Sequence, residues 1–314
     1  MAPSTTAAAA PSDLLERLYS LLQAGELEGA SVLLEELEAV APQGPEQALG
    51  RAAVVAHTDP EGSIAVLDEA RRRWPDDARL LVARGSHLLE LFGDTGAALR
   101  ALELAVTHLE HQREPQADEL LEARLLLADC LLSAGDAERA TKMADSVIAA
   151  APSSTTALLL RAAASFAMWQ LDDAAKRVRS VLSLDRELAD AHGLLGRIAQ
   201  AEGHHDDANA HFERAHALEP DRFPLPCRVE RRRLIELYRA ALEELPPLAR
   251  TWLHGASLTI EDTPRPMAPP ARAEGRAPDA TCFFEQSPRP DADGTRGAVP
   301  LYQRNLELLA ADEE

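Results

Sequence analysis

The chain has little lysine and few aromatic residues. Its only lysines are Lys142 and Lys176, and Phe, Trp and Tyr together make up 4% of 314 residues. So few large rings, against a background dominated by Ala and Leu, argue against a sandwich or barrel core and for closely packed helices. Cys130, Cys227 and Cys282 are too few and too scattered for a disulfide framework, and no Cys-x-x-Cys pair occurs. They read as free thiols of a reducing compartment. The longest apolar run, 157–169, is interrupted by Arg161 and falls short of bilayer length. The first residues are rich in Ala, Ser, Thr and Pro, without the basic start and apolar run of a signal peptide, so residues 1–11 read as a disordered leader. The expectation is a cytoplasmic protein with no membrane partner. No Gly-rich phosphate loop, Gly-x-Ser-x-Gly turn or His-Glu-x-x-His motif occurs. No catalytic residue and no cofactor are therefore assigned.

What is present begins with acid. The net charge is −20. Residues 1–220 carry 19 basic and 36 acidic side chains, and residues 221–314 carry 13 and 16. An acidic surface of this kind repels phosphate backbones, which excludes nucleic acid as the expected partner; it also keeps a helical array soluble.

The residues also repeat. Over 188–220, Gly203 ends one helix, Asp206 and Asp207 open the next, and Ala208, Phe212 and Ala215 recur at helical spacing before Pro220. Ala140, Ala174 and Ala208 follow one another at intervals of 34 residues. Upstream copies are Gly135-Asp136 with Ala140, Gly93-Asp94 with Ala98, Leu102 and Ala105, Asp59-Pro60 with Ser63, Leu67 and Ala70, and Gly25-Glu26 with Ala30 and Leu34. The one irregular interval, 42 residues from Ala98 to Ala140, places a longer turn around His111–Pro115. A helix pair of this length cannot bury its apolar face alone, whereas stacked pairs share a core.

This pattern resembles the tetratricopeptide repeat (TPR), whose signature matches the small residue opening the second helix, the Ala208–Phe212–Ala215 face and the closing Pro220. The fifth copy departs from it, with Trp169 where the inter-helix glycine is usual. The expected fold class is all-α: a TPR-type α-solenoid of about six helix pairs over 12–220, followed by a small, incomplete α+β segment. The resemblance implies a concave groove lined by first helices. Aligned copies put Tyr19, Ala52, His87, Asp129, Ala163 and Arg197 at one inner position, with Glu90, Leu132, Phe166 and Gln200 one turn on. The Asn/Lys ladder of chaperone-tail clamps is missing. Leu125, Leu132, Leu159 and Phe166 either form an apolar strip for a helical or extended segment or pack against neighbouring repeats. The candidate groove is His87, Glu90, Leu125, Asp129, Leu132, Leu159, Phe166, Arg197 and Gln200, with a protein or peptide partner. If the strip is open, Phe166→Ala weakens partner capture and leaves the melting curve little changed.

Histidine clusters invite a metal reading. His204 and His205 fall at an inter-helix turn, while His211 and His216 lie along the following helix, His211 beside the core position Phe212. His108 and His111 share a helix face without a third ligand. Neither set has zinc spacing, so no metal site is assigned, and His211 is expected to face solvent.

After Pro220 the pattern changes. A helix is expected over 228–245, ended by Pro246-Pro247, and 256–262 reads as a strand, making 221–263 a capping helix plus strand. Residues 264–314 are rich in proline and loops, with strands read at 281–284 and 299–305. The stretches "ALEELPP", "SLTIEDTP" and "VPLYQRNLELLA" resemble the front half of a small bacterial zincin-like metallopeptidase domain. In that family the next helix carries His-Glu-x-x-His, which holds zinc and activates water. The leading expectation is a non-catalytic interaction scaffold. The alternative is a truncated repeat–metallopeptidase fusion, zinc-dependent when complete. Low order is expected after about Pro264.

Overall fold

The computed structural model describes residues 10–112, 117–254, 256–265, 277–283, 285–286 and 297–310. Residues 1–9 of the expected leader, 113–115 of the turn expected around His111–Pro115 and much of 264–314 lie outside these residues, and Pro11, the leader's expected last residue, opens the first helix. Helices dominate, and the fold is an all-α, TPR-type solenoid with a small α+β segment at the C-terminal end. The chain forms two compact units, Met1–Val147 and Ile148–Glu314, so the division falls inside a helix of the repeat region rather than at Pro220.

The first unit contains α1 (Pro11–Gln23), α2 (Leu27–Val40), α3 (Pro45–Val55), α4 (Pro60–Arg73), α5 (Ala78–Phe92), α6 (Thr95–His111) and α7 (Ala117–Ser133). α8 (Ala137–Ala150) straddles the division. α1 packs on α2, α3 on α4 and α5 on α6. First helices also touch in sequence, α1 to α3, α3 to α5 and α5 to α7. Of the second helices, α4 and α6 start at an aspartate cap: the Asp59 carboxylate accepts from the Gly62 N–H and that of Asp94 from the Ala97 N–H, each at 2.9 Å, whereas α2, α10 and α12 start without a side-chain cap.

The second unit holds α9 (Thr155–Ala167) with α10 (Leu171–Leu184) and α11 (Ala189–Ala201) with α12 (His205–Leu218), with α9 touching α11. The small residue near the start of each second helix is buried. Ala30, Ser63, Ala98, Ala140, Ala174 and Ala208 are all at most 1% exposed. Facing them, first-helix glycines admit large side chains. A Cβ on Gly85 would lie 2.7 Å from Leu102 Cγ, and one on Gly196 would lie 2.5 Å from Phe212 Cε1.

Gly25, Gly93, Gly135 and Gly203 end first helices with positive φ, and Trp169 adopts the same conformation at φ 61°. The next N–H closes four of these turns onto the carbonyl five residues back, from Glu26 to Leu21, Asp136 to Leu131, Gln170 to Ser165 and His204 to Ala199, the hydrogen bond of a Schellman ending; that of Asp94 reaches Leu88, six back. The fifth pair therefore forms despite its missing glycine, at a backbone cost of roughly 1–2 kcal/mol.

Beyond the repeats come α13 (Arg231–Glu244) and α14 (Pro247–His254). Pro246-Pro247 ends α13 as expected. Pro247 also opens α14, because the first helical position needs no N–H; that helix was not read from the sequence. The Arg231–Arg233 run is neutralised locally: Arg231 pairs with Asp262, and Arg232 and Arg233 pair with Glu236. β1 (Ser257–Glu261) pairs in parallel with β3 (Gly297–Tyr302), Ile260 opposite Leu301, and β2 (Glu285–Gln286) pairs antiparallel with β3. Cys282 bridges to Leu301. The expected third strand ends at Tyr302. From there α15 (Gln303–Leu309) begins, turning Asn305 and Glu307 inward. Val299, Leu301 and Tyr302 are buried, so β3 is covered rather than left exposed, contrary to the low order expected there.

Candidate functional site

Inner faces arise because first helices stack on one another while second helices flank them. In the first unit the candidate residues come from α5 and α7. His87 is half-buried. The Ser63 hydroxyl donates to the Ala52 carbonyl at 2.9 Å and lies 2.7 Å from His87 Nδ1, which then carries the ring proton. Burial holds the His87 pKa below its ordinary value. Glu90 is exposed and accepts from the Ser86 hydroxyl at 2.7 Å. Asp129 on α7 is exposed to solvent, yet its enclosure and the charge of Glu90 raise its pKa. Leu125 and Leu132 are half-buried beside it. Residues on α1, α5 and α7 feel one another's charge. Tyr19 is pushed up to about 12 by burial, then by Glu122, with Arg79 opposing. The inner face of this unit thus presents acid and half-buried leucine together.

In the second unit the candidates divide differently. Leu159 is half-buried at the edge of a core cluster, but Phe166 is only 2% exposed and belongs to that cluster. It lies beneath the Arg197 guanidinium, 4.9 Å from its ring centroid. Phe166 is thus a core residue and not an open rung of an apolar strip; its ring fills the space between α9 and α11. Arg197 forms an ion pair with Asp279. Gln200 is buried, and its Nε2 donates to Asn305 Oδ1 at 2.9 Å. Sequence reasoning missed Asp279 and Asn305 as occupants of this face, because nothing in their spacing ties them to α11.

The histidines resolve individually. His204 sits beside Glu202, and His216 Nδ1 lies 2.9 Å from the Phe223 carbonyl. His211 does not face open solvent: its Nδ1 is 3.2 Å from that of His192 on α11. Among the described residues no group of three or more His, Cys, Asp or Glu is arranged to hold a metal ion.

Helix pairs with buried small residues, touching first helices and glycine-type turns define a TPR-type solenoid fold. No protein-family model and no curated protein matches the chain. Solved structures do match. PilW, described as a widely conserved type IV pilus biogenesis factor, aligns with a TM-score of 0.55 at 19% identity, covering 67% of this chain and 94% of PilW. PilF of Pseudomonas aeruginosa gives 0.52 at 17% identity, covering 67% and 92%. A monomeric IFIT1 mutant solved with m7Gppp-AAAA gives 0.51 at 18% identity, covering 68% of this chain and 51% of that one. At these identities the likeness is one of fold. The comparisons lend the zincin-like reading of the C-terminal segment no support. Among the described residues, no helix is long and apolar enough to cross a membrane.

Proposed function

We propose that the chain is a non-catalytic interaction scaffold whose first-unit inner face receives a protein or peptide partner. The observation that carries this reading is the pairing of Glu90 and Asp129, two exposed carboxylates on neighbouring first helices, beside the half-buried Leu125 and Leu132. A helical or extended segment with apolar anchors and a basic side chain complements that face. The IFIT1 complex shows that a TPR-type fold can accommodate a capped oligonucleotide. The exclusion of nucleic acid for this chain therefore rests on its net charge of −20. A cytoplasmic setting fits the three free thiols.

The test places a photo-crosslinking amino acid at position 90 in the full chain and identifies what it captures. Asp129→Arg and Leu132→Ala should each abolish capture while leaving the circular-dichroism melt within a few degrees of wild type. Capture that survives both changes, or that is equally strong from a crosslinker on the outer helices, refutes the reading.

A further inference from the structure

We propose that the turn Ala277–Cys282 and the segment 297–310 form a strap docked reversibly on the inner face of α11, which denies Arg197 and Gln200 to any partner while it is in place. This rests on the scaffold reading in one respect, that inner faces are where partners bind. The strap itself is argued from contacts within the second unit.

A single carboxamide ties the strap together and to the repeat. Asn305 Oδ1 accepts from Gln200 Nε2 at 2.9 Å, while its Nδ2 donates to the Pro278 carbonyl at 3.0 Å and the Ala280 carbonyl at 2.7 Å. Both side chains are buried, so neither amide regains a partner unless the strap leaves and water enters. At the rim, Asp279 pairs with Arg197, whose guanidinium rests over Phe166. Leu308 lies against the cluster of Ala199, Ala208 and Phe212. The far side is held by Glu307. Its carboxylate accepts from Arg228 at 2.6 Å and from the Val229 N–H at 3.2 Å, and its carbonyl accepts from the Cys227 N–H at 2.8 Å.

The α11–α12 pair closes on itself through Gly196 against Phe212. Against α11 and α12 the strap places one leucine in that cluster and one buried amide clasp; β3 within it stays paired with β1 and keeps Val299, Leu301 and Tyr302 buried. The part that opens is therefore 277–282 with α15, with less protection than the pair beneath it. When docked, it covers the two inner positions with the donors best suited to a carboxylate and an amide. Its release uncovers a guanidinium seated on a ring beside an unpaired carboxamide.

Native-state hydrogen exchange on the full chain tests this. Wild type is compared with Gln200→Ala, Asn305→Ala and the double variant. Either single change should speed exchange across 303–310 by about tenfold or more, the scale of at least one lost buried hydrogen bond, while α11 and α12 keep their protection. The double variant should exchange no faster than Asn305→Ala alone, which already removes the Gln200 contact together with those to Pro278 and Ala280. Unchanged exchange over 303–310 overturns the clasp. Loss of protection in α11 and α12 in step with the segment overturns the strap and makes the whole unit one cooperative core. Loss of partner capture in the first-unit variants, or failure to find a partner there, bears on the scaffold reading and leaves this result standing.

Discussion

Gly196→Ala puts the helix-pair packing under direct stress. The added methyl would sit 2.5 Å from Phe212 Cε1 and 2.6 Å from Cδ1, inside any real carbon–carbon contact. The ring cannot simply swing aside, because Phe212 is 5% exposed and packed against Ala199, Ala208 and Leu308. Overpacking of this kind costs about 1–3 kcal/mol. Against it stands the better helix propensity of Ala, worth about 1 kcal/mol at an interior position. The expected balance is a loss of up to about 2 kcal/mol, read as a lower urea midpoint for the second unit in circular dichroism. Phe212→Leu shortens the obstructing ring, so the double variant should be more stable than the two single effects added, with a coupling of about 1 kcal/mol or more. Gly50→Ala is the internal control. Its methyl meets the flexible ends of Leu18 and Leu37 at 3.2 Å and should change stability by less. A stabilising Gly196→Ala, or a double variant that merely adds, would refute the close approach on which the fold description depends.

Other perturbations have distinct signs. Gly203→Ala meets no atom within 4 Å but keeps a φ of +82°, so it should destabilise by about 1 kcal/mol through backbone strain alone, measurable by the same urea titration. Phe166→Ala should cost about 3–5 kcal/mol and lower the melting temperature clearly, as expected of a buried ring and not of an open groove residue. Burial raises the Glu307 pKa, but hydrogen bonds from Gln303, Arg228 and Val229 outweigh it and leave the folded value depressed. The strap should therefore be fully held above the unfolded value of about 4.3 and loosen as pH falls through the folded one; Glu307→Gln should flatten that acid dependence of exchange at 303–310. The His87 pKa is also depressed by burial. Its contribution is complete above the unfolded value of about 6.5 and is lost as pH falls below it, so His87→Gln should reduce the slope of stability against pH below about 6.5.

The repeats were readable because their physics is local. The small residue at the start of each second helix and the left-handed glycine before it recur at fixed intervals, and each satisfies a constraint set within a few residues. Trp169 shows where such reading becomes weak. Its identity argues against a left-handed turn, yet the packed pair on either side holds it at φ 61°, so tertiary closure overrides a local preference. The groove was less legible for a different reason. Aligning copies identifies which residues lie on first helices, but not what lies over them. Phe166 and Arg197 align as inner positions, yet one is core and the other is paired with a residue 82 positions away. Asn305 was read as the end of a strand and Glu307 was not singled out; in α15 they are two buried polar anchors, tied to Gln200 and to Arg228 and Val229, 105, 79 and 78 residues earlier. A buried carboxamide and a buried carboxylate within one short helix are costly unless every polar atom is matched. Each is explained by the surface it meets: Glu307 by the chain at Cys227–Val229, and Asn305 by the inner face of α11, which sequence periodicity had assigned to a partner.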